Sequence, residues 1–180
     1  DRYVLGPLDR DAATDLFCAR ARGLVPSGAD REQVRAIVRM LDGMPLAIEL
    51  AAARFGVLSL SDIKTRLSDG LGLLSDHRQK GRQASVHRTI QWSWDLLSPA
   101  EQAAFAQCAV FRGGFRLDAA EAVLDLSAYP DAPPVIDVVQ ALTEKSLLYA
   151  REGHGEVRLY MYRTIETFAQ ARFEARPDRA

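Results

Sequence analysis

Glycine is never followed by lysine in these 180 residues. A phosphate-wrapping loop needs that pair, followed by Ser or Thr, so that backbone amides and the lysine enclose the phosphates. The chain is therefore not expected to hydrolyse a nucleotide unaided. Glu144-Lys145-Ser146 superficially resembles such a site, but it lacks the glycines and ends a helical pattern, where Lys145 offsets the helix dipole. Cysteine is scarce: Cys18 and Cys108 lie far apart, each in a helical pattern, which fits reduced thiols and excludes a disulfide framework or a cysteine metal site. His77, His87 and His154 fall in polar stretches with no partner at metal-ligand spacing, so no metal is expected. No Gly-x-Ser-x-Gly elbow or cysteine-histidine signature is present. The net charge is only -1, so no bulk field draws the chain to nucleic acid or an anionic membrane. The longest apolar run, Met44 to Leu60, is broken by Glu49 and Arg54 and is too short to span a bilayer. No membrane partner is expected, and the chain reads as cytoplasmic.

What is present is 48% hydrophobic residues with 26% charged, the balance of a chain with a packed core. Opening at Asp1 with Tyr3-Val4-Leu5, which reads as a trailing strand, it is expected to be a piece of something larger. The most informative stretch is Leu41-Asp42-Gly43-Met44-Pro45-Leu46-Ala47, where a Gly-x-Pro corner joins two helices. Gly43 can take the left-handed geometry that ends the first helix, and Pro45 suits the first turn of the next. Amides at that helix start carry partial positive charge, and a flat proline ring can lie against a base. Taken alone, such a corner more often only turns the chain.

Around the corner, periodicity places a helix over 10–22 capped by Asp9, with Ala12, Leu16, Ala19, Ala13 and Phe17 as its stripe. A second helix, capped by Asp30, carries Val34, Ile37, Val38 and Leu41 and stops at Gly43. The third carries Leu46, Ala47, Leu50, Ala51 and Arg54 near one face, and a short fourth runs from Ser59 to Leu67. The polar, basic stretch His77 to Gln83 reads as a linker, so domains are placed at 1–76 and 77–180. Beyond it, Val86, Ile90, Trp94 and Leu97 share a face, while Trp92 points elsewhere and suits a domain interface. Ser98-Pro99-Ala100-Glu101 is a complete helix start. Gly113-Gly114 breaks that helix, a short helix opens at Leu117 or Asp118, and Pro133-Pro134 opens another with Val135, Val138, Val139 and Leu142 buried. Two apolar runs flanking Gly153-His154-Gly155 form a hairpin, and a helix from Arg163 to Ala175 follows. The expected fold is mainly α, a four-helix bundle followed by a winged-helix domain with a β-hairpin. A DNA-reading helix would be Val135 to Ser146, which carries Asp137 and Glu144 and only Lys145, so direct DNA contact is not expected.

The order of these motifs resembles the nucleotide-switch ATPases with the NB-ARC arrangement, also called STAND ATPases, especially their large bacterial regulators. Leu5-Gly6-Pro7-Leu8 with Ala12-Ala13 and Leu16-Phe17 resembles the entry into their helical lid. Gly43-Met44-Pro45-Leu46-Ala47 resembles their Gly-Leu-Pro-Leu motif, with Met44 in place of leucine. The segments Thr89 to Leu97, Val110 to Phe115 and Leu142 to Leu147 are similar to the winged-helix domain that follows.

The resemblance implies a lid and winged-helix segment acting on ATP or ADP held by a P-loop core outside this chain but in the same polypeptide. It implies Pro45, with Gly43, near the adenine. It also implies sensor repeats downstream, self-association on activation, and a role in signal-responsive transcription without enzymatic activity in this segment. Where that family carries Met-His-Asp, this chain reads Met161-Tyr162-Arg163. Tyr162 offers a phenolic hydrogen bond and Arg163 reverses the aspartate's charge, so either Arg163 meets phosphate or the last helix only packs. Two other readings stay open, a DNA-binding winged-helix module with an accessory bundle and a protein-interaction scaffold.

Overall fold

Asp9 begins the first helix by accepting the backbone N–H groups of Asp11 and Ala12 (3.1 and 2.8 Å), and α1 runs over Arg10–Arg20. The computed structural model describes residues 7–21, 27–73, 82–153 and 155–175. They belong to two compact units, Asp1–Trp92 and Ser93–Ala180. The expected strand at Tyr3 to Leu5 and residues 77–81 of the expected linker lie outside the described residues, whereas Arg82 and Gln83 already belong to a helix.

In the first unit, α1 is followed by α2 (Gly28–Met40), α3 (Pro45–Ala52) and α4 (Leu60–Leu73), with α1 against α2 and α3 and α2 against α4. The buried face of α1 is Ala13, Thr14 and Phe17, while Ala12 and Ala19 are exposed. Alanines mark a face weakly. The Phe17 ring decides it, and the Thr14 hydroxyl becomes buriable by donating to the Arg10 carbonyl (2.7 Å). The cap of α2 is Ser27, not Asp30. Asp30 is the reciprocal partner in a capping box, its carboxylate accepting the Ser27 N–H (3.1 Å) while its own N–H donates to Ser27 Oγ (3.3 Å). Ser59 and Asp62 repeat that exchange at the start of α4. In both boxes the serine hydroxyl holds the aspartate carboxyl below its ordinary range. α4 continues past Leu67 to Leu73, because a glycine costs a helix only about 1 kcal/mol and Gly70 and Gly72 do not end it.

α5 (Arg82–Asp95) spans the division between the units. The second unit continues with α6 (Pro99–Gln107), a single 3₁₀ turn over Cys108–Val110, α7 (Leu117–Val123), α8 (Val135–Glu144), β1 (Tyr149–Gly153), β2 (Glu156–Tyr160) and α9 (Arg163–Glu174). α6 packs against α8 and α9, and its Phe105 ring lies 5.7 Å from Trp94 and 6.3 Å from Phe168. Of the residues expected to be buried on α8, Val138, Val139 and Leu142 are, and Val135 is only half-buried. The strands pair antiparallel with Tyr149 opposite Tyr160 and Gly153 opposite Glu156. A third segment joins them: Phe115 and Leu159 exchange both backbone hydrogen bonds (2.9 and 2.7 Å). Gly114, at φ +86°, makes this approach possible, since a Cβ there would stand 2.6 Å from Cδ1 of the Tyr160 ring. Three helices, a hairpin and this added strand segment are a winged-helix arrangement, and the whole is a helical bundle followed by that wing. Cys108 is buried, which pushes its thiol up to about 12, so it is an inert core residue.

Candidate functional site

The corner between α2 and α3 is fixed by backbone geometry rather than by side chains. α2 ends in a Schellman closure, with the Asp42 N–H on the Arg39 carbonyl (3.1 Å) and the Gly43 N–H on the Val38 carbonyl (3.2 Å). The left-handed closing residue is therefore Asp42, at φ 54°, and not Gly43 as the sequence suggests. Gly43 follows with a second positive φ of 65°. Its own need for glycine comes from elsewhere. The Leu8 N–H donates to the Gly43 carbonyl (2.9 Å), and a Cβ on Gly43 would lie 2.6 Å from the Leu8 oxygen. The segment before α1 thus closes on the corner, which no local pattern announces.

Met44 then stands at the cap of α3 without a side-chain hydrogen bond, and Pro45 takes the first helical position as expected. Pro45 and Leu46 are half-buried, whereas Ala47, Ile48, Leu50, Ala51 and Ala52 are fully buried. The corner therefore rests on a dry apolar base and keeps part of its proline ring at the surface. No side-chain hydrogen bond caps the start of α3, so its first turn keeps its partial positive charge.

Tyr162 and Arg163 lie in the other unit, at the start of α9. Tyr162 occupies the cap position without a capping hydrogen bond from its side chain, and it is 39% exposed. Its ring packs on Tyr149 (centroids 4.6 Å apart), which stacks on Tyr160 (5.5 Å, 20°). Arg163 is exposed and lines an open groove of about 690 Å³ with Arg112, Glu166, Thr167, Gln170 and Glu174. Two guanidinium groups facing two carboxylates make a mixed surface rather than a phosphate cradle. The structure thus brings Gly43 and Pro45 together at one corner and Tyr162 and Arg163 at another, and the two pairs belong to different units.

Lys145 does more than offset a helix dipole. It stands at the end of α8 and forms a hydrogen-bonded ion pair with Glu101, the reciprocal residue of the Ser98 capping box. Glu101 also accepts the Ser98 N–H (2.8 Å). Burial works to raise the Glu101 pKa, but the Lys145 bond, the Ser98 N–H, the Lys145 charge and the Ser98 hydroxyl together bring it below its ordinary 4.5. The stability linked to this carboxylate is complete above pH 4.5 and is lost as the pH falls through the lowered value. Lys145→Met leaves Glu101 half-desolvated without its cation. Unfolding by urea at pH 7 is expected to show a loss of roughly 1–3 kcal/mol. The acid-unfolding midpoint is expected to move to higher pH, and an unchanged acid limb would remove the pair from any structural role.

Among the described residues, no group of three or more His, Cys, Asp or Glu is placed to hold a metal ion. Among the same residues, no helix is long and apolar enough to cross a membrane.

Comparison with known proteins finds no matching family model. Over 167 residues, 88% of the chain, it is 36% identical to proteins of Mycobacterium bovis and Mycobacterium tuberculosis named "Putative HTH-type transcriptional regulator". Over 169 residues, 89% of the chain, it is 32% identical to the "Regulatory protein AfsR" of Streptomyces griseus. The chain is similar to a segment of bacterial regulatory proteins. It spans 19% of the length of the mycobacterial relatives and 16% of the Streptomyces one. An uncharacterized protein of Mycobacterium tuberculosis is 42% identical over 117 residues, 62% of this chain and 30% of its own length. Both named regulators are matched through a span that takes in the α2–α3 corner and most of the wing.

Proposed function

We propose that this chain is the helical lid (1–76) and winged-helix domain (77–180) of a cytoplasmic bacterial switch ATPase of the STAND or NB-ARC type, serving as a signal-responsive transcriptional regulator. The observation that carries this reading is the corner itself. An uncapped helix start and a half-exposed Pro45 ring are held at one place by the Gly43 to Leu8 bond. In this reading a P-loop core elsewhere in the polypeptide holds ATP or ADP, Pro45 lies against the purine, and the segment performs no catalysis of its own. It uses no metal. Downstream sensor repeats set the signal, and rotation of the winged-helix domain, followed by self-association, is the switch. Tyr162, packed on Tyr149, fits a packing role better than phosphate sensing. Arg163 remains the group in the winged-helix domain that could meet phosphate.

The 180-residue chain should then bind ADP very weakly, while a version extended to include the core should bind it well. Pro45→Ala in the extended protein removes an apolar contact of some 40 Å², about 1 kcal/mol or a roughly fivefold loss of affinity by calorimetry. Tight ADP binding by the 180-residue chain alone would contradict the assignment.

The names of the mycobacterial relatives favour a second reading, a DNA-binding winged helix with an accessory bundle. The surface of α8 argues against it. Its exposed positions are Ile136, Asp137, Gln140 and Glu144, and Lys145 is engaged by Glu101. A titration with duplex DNA at low and raised ionic strength separates the readings, because phosphate contacts give steeply salt-dependent binding. Absence of both nucleotide and DNA binding, even with the core present, would leave a protein-interaction scaffold.

A further inference from the structure

The wing carries an open strand edge whose chemistry selects a partner. Leu159 directs both its N–H and its C=O to Phe115, so it turns them away from β1 and its pairing with Ala150 is a non-hydrogen-bonded one. The alternation then fixes the rest of the register. Tyr149–Tyr160, Arg151–Arg158 and Gly153–Glu156 are the hydrogen-bonded pairs, while Ala150 and Glu152 aim their N–H and C=O groups at the outer edge of β1. No strand covers that edge among the described residues.

The same register sorts the side chains. Tyr149, Arg151, Arg158 and Tyr160 share one face, and Leu159 is buried on the other. Arg151 and Arg158 are therefore directly opposite like charges, an arrangement that disfavours the hairpin unless something neutralises it. Arg151 lies over the Tyr149 and Tyr160 rings (5.2 and 5.8 Å), and Arg158 donates to the Gly114 carbonyl (3.3 Å). Neither forms an ion pair among the described residues.

We propose that the outer edge of β1 takes up an extended acidic segment of a partner protein as an added strand. Its main chain bonds Ala150 and Glu152, and its carboxylates lie beside Arg151, the guanidinium on the docking strand itself. A second copy of this chain fits poorly, because edge-to-edge pairing would set Arg151 near its own copy. A nucleic-acid duplex fits poorly too, since α8, the helix preceding the hairpin, exposes Asp137 and Glu144. This docking edge does not depend on the nucleotide reading.

The test is an amide NMR titration of the full chain with a short peptide alternating Glu and Val, with its Lys–Val counterpart, and with duplex DNA. The acidic peptide is expected to shift the Ala150 and Glu152 amides, more weakly as salt is raised. Arg151→Glu is expected to weaken it roughly tenfold and to turn the preference towards the lysine peptide. Ala150→Pro removes an outward N–H without touching a β2 bond and should abolish the interaction, while the remaining amides report that the wing stays folded. Unmoved 150 and 152 amides, an Arg151→Glu variant that binds the acidic peptide as well as before, or tighter binding of DNA to this face would each overturn the proposal.

Discussion

Phe105→Ala is expected to destabilise the second unit by about 4 kcal/mol, a large share of the whole stability of an ordinary domain. Phe105 sits in the last turn of α6, fully buried, in a triangle of rings with Trp94 and Phe168, whose own centroids are 6.0 Å apart. The tilted and edge-on geometries add roughly 0.5–1.5 kcal/mol per pair beyond burial. Arg172 extends the stack, its guanidinium lying 5.1 Å from the Trp94 ring and 4.8 Å from that of Phe168. Removing the central ring thus opens a cavity where the end of α5, α6 and α9 meet, and α6 also touches α8. Urea unfolding gives the magnitude, and hydrogen exchange should show the protection lost from α6, α8 and α9. Phe105→Leu keeps most of the volume and should cost under about 1.5 kcal/mol. A loss below about 1 kcal/mol for the alanine variant would mean that the triangle does not hold this unit together.

What the sequence discloses here is mostly local, and what it hides is mostly contact between distant residues. Ser98-Pro99-Ala100-Glu101 reads correctly because every partner in a capping box lies within one turn, and both reciprocal bonds are present. The mixed identity of the α2 cap is a small failure of the same kind. Ser27 and Asp30 are both acceptable caps, and only the geometry shows that they act together. The hairpin is legible from alternation and from the glycines beside its turn. Its third strand segment is not, because Phe115 reaches Leu159 across α7 and α8 and nothing in the neighbourhood of Phe115 marks a strand. Gly113-Gly114 reads as a helix break, while the reason for Gly114 is the Tyr160 ring far along the chain. Lys145 is another such case. Its position at the end of α8 is legible, but its engagement with Glu101 is a tertiary fact. The candidate site divides in the same way. Pro45 opening α3 follows from its ring chemistry, but the carbonyl of Leu8 under Gly43 does not.

That carbonyl makes Gly43→Val the second large effect, about 3 kcal/mol or more. A β-branched residue at φ +65° is a steric outlier costing roughly 1–2 kcal/mol. Its Cβ would also stand 2.6 Å from the Leu8 oxygen and 3.3 Å from the Pro7 Cβ. The contact can be relieved only by moving the segment before α1 away, which gives up the Leu8 to Gly43 hydrogen bond at about 1 kcal/mol more. Gly43→Ala carries the same overlap with less torsional strain and should fall between the valine variant and the parent in thermal unfolding. Pro45→Ala, by contrast, leaves every backbone bond of the corner in place and should change stability by less than about 1 kcal/mol. The pair of substitutions therefore separates architecture from recognition. In the protein extended by its core, Gly43→Val should lose nucleotide affinity together with stability, and Pro45→Ala should lose affinity with stability nearly intact. If Pro45→Ala leaves ADP affinity unchanged while Gly43→Val only lowers the melting temperature, the corner is a chain-turning device and the purine contact belongs elsewhere.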